Sequence, residues 1–272
     1  LIAGEYNWLR FQFVGHVVLL IRELRRTIAE ILAQANRFAV GSCDLLFYPV
    51  ALITGADMSE QSKKLLVILG ATAGGKTGLA VQTAKQYDGE IISVDSRQVY
   101  RGMDLGTGKD LAEYGDVPYR LIDIAEPGSE YNVFCFQRDF FAAFEDICQR
   151  GKLPILCGGT GMYLDAVLRG YRLIAVPENL QVRAELAALS DEQLRDRLQQ
   201  LKPEQHNRTD LDERARLVRA IEIAQGEQAV SAELPPFPEM DPRVFGLRWP
   251  REILRQRIGL RFQQRFDVGM ID

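Results

Sequence analysis

Residues 65–69 (Leu65-Leu66-Val67-Ile68-Leu69) form a short, partly β-branched apolar run that stops at Gly70, the pattern of a strand buried on both faces. A helix should follow over residues 78–87, where Leu79, Val81 and Ala84 share a face before Asp88-Gly89 breaks the run. Similar apolar runs predict strands at 90–95, 119–124 and 153–157, with an amphipathic helix at 134–150 between the last two. Strand and helix alternating in this order predict an α/β fold, a doubly wound parallel sheet.

Beyond Gly170 the pattern turns to short, charged helices. Ser190-Asp191-Glu192-Gln193 has the form of a capping box and opens a helix that ends before Pro203. Asp210-Leu211-Asp212-Glu213 opens another, running to Gly226. Residues 171–232 therefore read as a helical insertion into a core spanning 58–170. The chain returns to that core at 233–272: a proline-rich link (Pro235, Pro236, Pro238), a strand at 244–247 and a last helix from Pro250. In that helix Arg257, Arg261 and Arg265 make one stripe, and Leu254, Ile258, Phe262 and Phe266 make an adjacent apolar one that is expected to be buried.

Residues 1–57 differ in character. Their apolar stretches, 11–21 and 38–54, flank Arg22, Arg25 and Arg26; the first is too short to span a membrane, and the second carries Ser42, Asp44 and Pro49, where about 20 clean apolar residues would be needed. Met58 is the expected start of the functional chain, with 1–57 an unmatched extension, and Asp272 is expected to be a truncation. The composition, 47% hydrophobic and 26% charged, excludes disorder and fibrous repeats. A net charge of -4 requires a polyanionic partner to be gripped by a local basic patch. Four cysteines without CxxC pairing and two histidines support neither a zinc site nor a disulfide framework, so a reducing, cytoplasmic setting is expected.

The chemistry begins at Gly70-Ala71-Thr72-Ala73-Gly74-Gly75-Lys76-Thr77, a G-x-x-x-x-G-K-[ST] loop set between strand and helix. Its glycines let successive amides face phosphate oxygens, the helix N-terminus adds partial positive charge, Lys76 supplies a cation and Thr77 a hydroxyl for Mg²⁺. The loop does not say which phosphate compound it holds. Asp95 closes the second strand beside it, in the crevice where such sheets bind ligands, and reads equally as a base, a metal ligand or a helix cap.

Together with Asp95-Ser96-Arg97-Gln98-Val99-Tyr100, Gly102-Met103-Asp104-Leu105-Gly106-Thr107 and Gly158-Gly159-Thr160-Gly161-Met162-Tyr163, the loop resembles the tRNA dimethylallyltransferase family, in order and in spacing, over residues 64–272. The resemblance implies transfer of a dimethylallyl group from its diphosphate to N6 of the adenosine 3′ of the anticodon. It implies that residues 70–77 hold the diphosphate with Mg²⁺, that Asp95 takes the amine proton, that Ser96, Arg97 and Gln98 contact the flipped-out base, and that Thr160 contacts RNA. Arg257 and Arg261 would face the leaving group, and Arg183, Arg216 and Arg219 would meet the anticodon stem-loop. A monomer is expected. One departure stands out: many members carry Ala-Lys-Pro after the Gly-Thr, where this chain has Gly108-Lys109-Asp110. The rival readings are an isopentenyltransferase acting on free adenine nucleotide, a P-loop small-molecule kinase and a non-catalytic binding module.

Overall fold

A computed structural model describes residues 44–48, 63–203, 213–229 and 237–270. The expectations placed on residues 1–43, Met58, the 210–212 helix start, Pro235, Pro236 and Asp272 lie outside the described residues. The described residues fall into two compact units: one holds those up to Gly170 together with those from Pro238 onward, and the other those from Tyr171 to Phe237.

The first unit is built on β1 (Asp44–Tyr48), β2 (Lys63–Gly70), α1 (Lys76–Tyr87), β3 (Gly89–Val94), α2 (Asp104–Thr107), β4 (Tyr119–Arg120), α3 (Val133–Gln149), β5 (Leu153–Gly158) and α4 (Gly161–Leu168). The second contains α5 (Leu180–Ala187), α6 (Asp191–Leu201) and α7 (Arg214–Ala229). The chain re-enters the first at β6 (Met240–Arg248) and α8 (Arg251–Asp267). The strand order is β1-β6-β2-β5-β3-β4, parallel from β6 to β4, with β1 added antiparallel at the edge.

Alternation along each parallel strand sorts side chains to two covered faces. Leu66 and Ile68 of β2, Ile91 of β3, Ile155 and Cys157 of β5, and Phe245 and Leu247 of β6 join α1 residues Leu79, Ala80, Val81 and Ala84. Leu65, Val67, Ile92, Val94, Leu156 and Val244 point the other way, to Phe136, Phe140 and Phe144 of α3 and Tyr163, Leu164 and Val167 of α4. Because both faces are buried, these strands read in the sequence as continuous apolar runs rather than as alternating ones. On α3 the fourfold spacing stacks Phe136 and Phe140 at 6.2 Å and Phe140 and Phe144 at 5.8 Å, and Tyr163 meets Phe136 at 4.4 Å. Phe140→Ala opens a cavity in that stack and is expected to cost about 3–5 kcal/mol, read as a lower urea midpoint at unchanged m-value.

Several expectations shift. The helix after the phosphate loop starts at Lys76, directly behind Gly75, rather than at residue 78. The third strand ends at Arg120 instead of 124, because Leu121 (φ 62°) and Asp123 (φ 56°) adopt left-handed conformations that break a strand. Gly226 lies inside α7 and does not end it, and a Cβ there would strike the Val176 side chain.

At the far edge of β3, the Glu90 side chain is 2% exposed and is held by Arg150, with Arg120 at 3.3 Å and Lys152 at 3.9 Å. The Arg150 hydrogen bonds hold its carboxyl below the usual range, against the opposing effect of burial. A depressed folded value contributes stability that is present above the unfolded pKa and is lost as pH falls through the folded one. The urea midpoint should therefore fall on acidification below the ordinary glutamate range, and Glu90→Gln should flatten that dependence.

In the second unit Leu186, Leu194, Leu198, Leu217, Ile221 and Ala224 form a core of their own. The Ser190 capping box is present, with Gln193 N–H donating to Ser190 Oγ at 3.3 Å and Ser190 N–H to Gln193 Oε1 at 2.8 Å.

Candidate active site

In a parallel sheet every strand delivers its carboxyl end to one edge, and here that edge gathers the phosphate loop after β2, Asp95 after β3, Gly158-Gly159-Thr160 after β5 and Trp249 after β6. Close approach explains two of the glycines. A Cβ on Gly70 would lie 2.8 Å from the Leu247 carbonyl oxygen, and one on Gly158 would collide with the Val94 carbonyl. Gly75 takes φ 86° to turn the loop into α1.

The loop is braced from α8 and from Trp249 just before it. Trp249 Nε1 donates to the Gly74 carbonyl at 2.9 Å, Arg257 Nε donates to the Ala73 carbonyl at 2.9 Å, and the Arg257 guanidinium sits 4.5 Å over the Trp249 ring. Pinning the Gly74 carbonyl turns the Gly75 N–H to the opposite side of its planar trans peptide. Lys76 Nζ donates to the Ala71 carbonyl at 2.8 Å. Burial, joined by the nearby Arg261 charge, lowers the Lys76 pKa below the usual lysine value. Behind it, burial pushes the Cys157 thiol up to about 12, so that group is inert at neutral pH.

Between the loop and α8 lies a cleft of about 750 Å³. Its walls include Lys76, Thr77, Asp110, Arg257, Arg261 and Arg265, with Ile253 and Leu260 supplying apolar surface. The arginine stripe expected in α8 therefore faces inward. The apolar stripe beside it, expected to be buried, is not: Ile258, Phe262 and Phe266 are 44%, 51% and 37% exposed. The arginines find carbonyl and carboxylate acceptors on the loop side, and this sets the rotation of the helix.

Asp95 sits partly exposed directly after β3. Its Oδ1 accepts from the Arg97 N–H at 2.8 Å and the Gln98 N–H at 3.3 Å, so the carboxylate is fixed by its own turn, and among the described residues Oδ2 has no hydrogen-bond partner. The Ser96 N–H donates to Thr160 Oγ1 at 3.1 Å, joining the β3 and β5 loops. Ser93 Oγ donates to Gln98 Oε1 at 3.2 Å and Gln98 Nε2 donates to the Gly108 carbonyl at 3.0 Å, while Arg97 is exposed.

Two residues unassigned by the sequence reading hold this loop. Lys109 is fully buried, with Nζ donating to the Tyr100 carbonyl at 2.6 Å, to Asp104 at 2.7 Å and to Asp123. Burial opposes its charge, but the bonds to Asp104 and Asp123 win and raise its pKa. Asp110, at φ 44°, pairs with Arg261 and Arg265. Trp249 is the third residue missed. Its only sequence signal was an aromatic residue closing a strand just before Pro250.

The insertion's arginines also form ion pairs within it. Arg183 and Arg219, assigned to RNA by resemblance, converge on the buried Glu222 at 2.9 and 3.1 Å, and Arg219 also donates to the Val176 carbonyl at 2.7 Å. Burial would raise the Glu222 pKa, but the Arg183 and Asn179 hydrogen bonds reverse the direction and lower it. Arg214 caps the end of α5 through the carbonyls of Leu186, Ala187 and Leu189. Arg216 is half exposed and pairs with the equally exposed Glu213 at 3.0 Å.

Thr77 offers a hard hydroxyl oxygen at the start of α1, and the cleft wall adds Glu113, Asp110 being taken up by Arg261 and Arg265. That donor set fits Mg²⁺, which takes few protein oxygens and completes its shell with phosphate and water. Among the described residues no cluster of three His, Cys, Asp or Glu could hold a metal by itself. No helix among them is long and apolar enough to cross a membrane.

A family model described as IPP transferase matches residues 98–272, and one described as isopentenyl transferase matches residues 63–116. A tRNA dimethylallyltransferase of Syntrophotalea carbinolica is 63% identical over 208 residues, covering 76% of this chain and 70% of that protein. The crystal structure of the full-length tRNA isopentenylpyrophosphate transferase from Bacillus halodurans aligns with TM-score 0.52 and 36% identity, over 78% of this chain and 68% of that one. That of a eukaryotic dimethylallyltransferase acting on tRNA aligns with TM-score 0.61 and 25% identity, over 76% of this chain and 54% of that one.

Proposed function

Because this chain belongs to the IPP transferase family, we propose that it transfers a dimethylallyl group from dimethylallyl diphosphate to N6 of the adenosine 3′ of the anticodon in tRNA. The observation that carries the reading is the shared edge of the sheet, where a phosphate loop braced by an arginine helix lies beside a carboxylate with one oxygen unengaged among the described residues.

In the step itself the adenine amine nitrogen forms a bond to C1 of the allyl group as the bond from C1 to the diphosphate oxygen breaks. The electron pair leaves with the diphosphate, and the amine proton passes to Asp95 Oδ2. Charge grows on the leaving oxygens, so the loop amides, Lys76, Arg257 and Arg261 act where they are most useful. Mg²⁺, held by Thr77 and the diphosphate, would neutralise part of that charge. Asp95 is oriented because two backbone N–H groups hold its other oxygen.

For the acceptor, Ser96, Arg97, Gln98 and Thr160 border Asp95 and would receive a base swung out of the anticodon-loop stack. Arg216 is the exposed arginine of the insertion assigned to the stem-loop, while Arg183 and Arg219 act through Glu222 to shape the insertion that meets it. A tRNA substrate would place the protein in the cytoplasm. The reading is tested by following diphosphate release from dimethylallyl diphosphate with Mg²⁺. Release should require an anticodon stem-loop, and AMP should not replace it; release driven by AMP alone would instead make the protein a nucleotide isopentenyltransferase.

A further inference from the structure

Three arginines line the donor cleft, but they are not equivalent. Arg257 is fixed by a backbone carbonyl and an aromatic face. Arg261 and Arg265 both take their carboxylate partner from one residue, Asp110, which lies in the wall of the same cleft. The Asp110 backbone sits at φ 44°, ψ 50° as the residue before a short 3-10 turn, a conformation that side-chain-bearing residues adopt rarely, and it projects the carboxylate at α8. Arg261 also reaches the Gly108 carbonyl at 3.4 Å, the same oxygen that Gln98 Nε2 binds at 3.0 Å.

We propose that Asp110 is a positioning residue of the donor cleft, a counter-ion that holds Arg261 and Arg265 toward the phosphate loop and cedes Arg261 to the donor's diphosphate. The inference rests on the reading of the cleft as a diphosphate site. An ion pair about one third exposed on each side is weak and readily exchanged. A diphosphate offers a guanidinium more oxygens and more charge than one carboxylate, and bidentate arginine contacts favour it. The Asp110 carboxylate repels the same anion. It thus organises the arginines beforehand and opposes the diphosphate on arrival, so donor and released diphosphate are held less tightly than the arginines alone would hold them. A residue with a purely structural role would have the opposite signature, because removing it would loosen the loop and weaken binding.

The test is calorimetric titration of inorganic pyrophosphate with Mg²⁺ into the wild-type protein, Asp110→Asn, Arg261→Ala and the double variant. Asp110→Asn should bind about three- to tenfold more tightly, and the gain should vanish in the Arg261→Ala background. Unchanged or weaker binding in Asp110→Asn, or an equal gain without Arg261, would overturn the exchange while leaving the cleft's function intact. A wild-type protein that binds no pyrophosphate, or binds it as well after Lys76→Ala, would overturn the reading of the cleft and the exchange with it.

Discussion

Asp95→Asn is expected to lower the rate of transfer by about 10²–10⁴-fold in kcat, with the affinity for the anticodon stem-loop little changed. The substitution keeps the shape of the residue and an amide oxygen able to accept the Arg97 and Gln98 N–H bonds, so the turn after β3 survives. What is lost is a group that can take the proton from a weakly nucleophilic aromatic amine. Single-turnover transfer to a labelled stem-loop, beside a filter-binding isotherm for the same RNA, separates the two quantities. A loss confined to affinity would make Asp95 a base-contacting group rather than the proton acceptor.

Lys76→Ala should produce the second large effect, about 10²–10³-fold in kcat. Among the described residues its Nζ makes one protein hydrogen bond, to the Ala71 carbonyl at the mouth of the loop, so removing it leaves the sheet and its two cores untouched. The lysine's burial and depressed pKa mean that it gains most when negative charge builds up beside it, which happens as the carbon–oxygen bond to the diphosphate breaks. The effect should therefore fall on kcat. A raised KM for dimethylallyl diphosphate at unchanged kcat would show that Lys76 serves ground-state binding alone.

The parts of this fold that could be read in the sequence are those in which one local pattern determines one element. The run 65–69 can only be a strand buried on both sides, and β2 places alternate residues in two separate cores. The capping box at Ser190 and the phosphate loop between β2 and α1 are likewise local. Features that depend on distant partners could not be read. Lys109 looks like a surface lysine until the chain brings Asp123 to it, and the left-handed Asp123 is also why β4 stops short. The rotation of α8 was misjudged for the same reason. Its apolar stripe suggested burial, but carbonyls on the phosphate loop and the Asp110 carboxylate draw the arginine stripe inward. That Arg183 and Arg219 share Glu222 could not be read either, since only the packing buries that carboxylate between them.

The most direct measurement is the mass of the adenosine 3′ of the anticodon. Unmodified tRNA is incubated with the protein, Mg²⁺ and dimethylallyl diphosphate, then digested to nucleosides. This adenosine alone is expected to gain one dimethylallyl group, with the gain slowed about 10²–10⁴-fold in Asp95→Asn. An unchanged adenosine, with ATP consumed to phosphorylate a small acceptor or with free AMP carrying the group instead, would contradict that expectation.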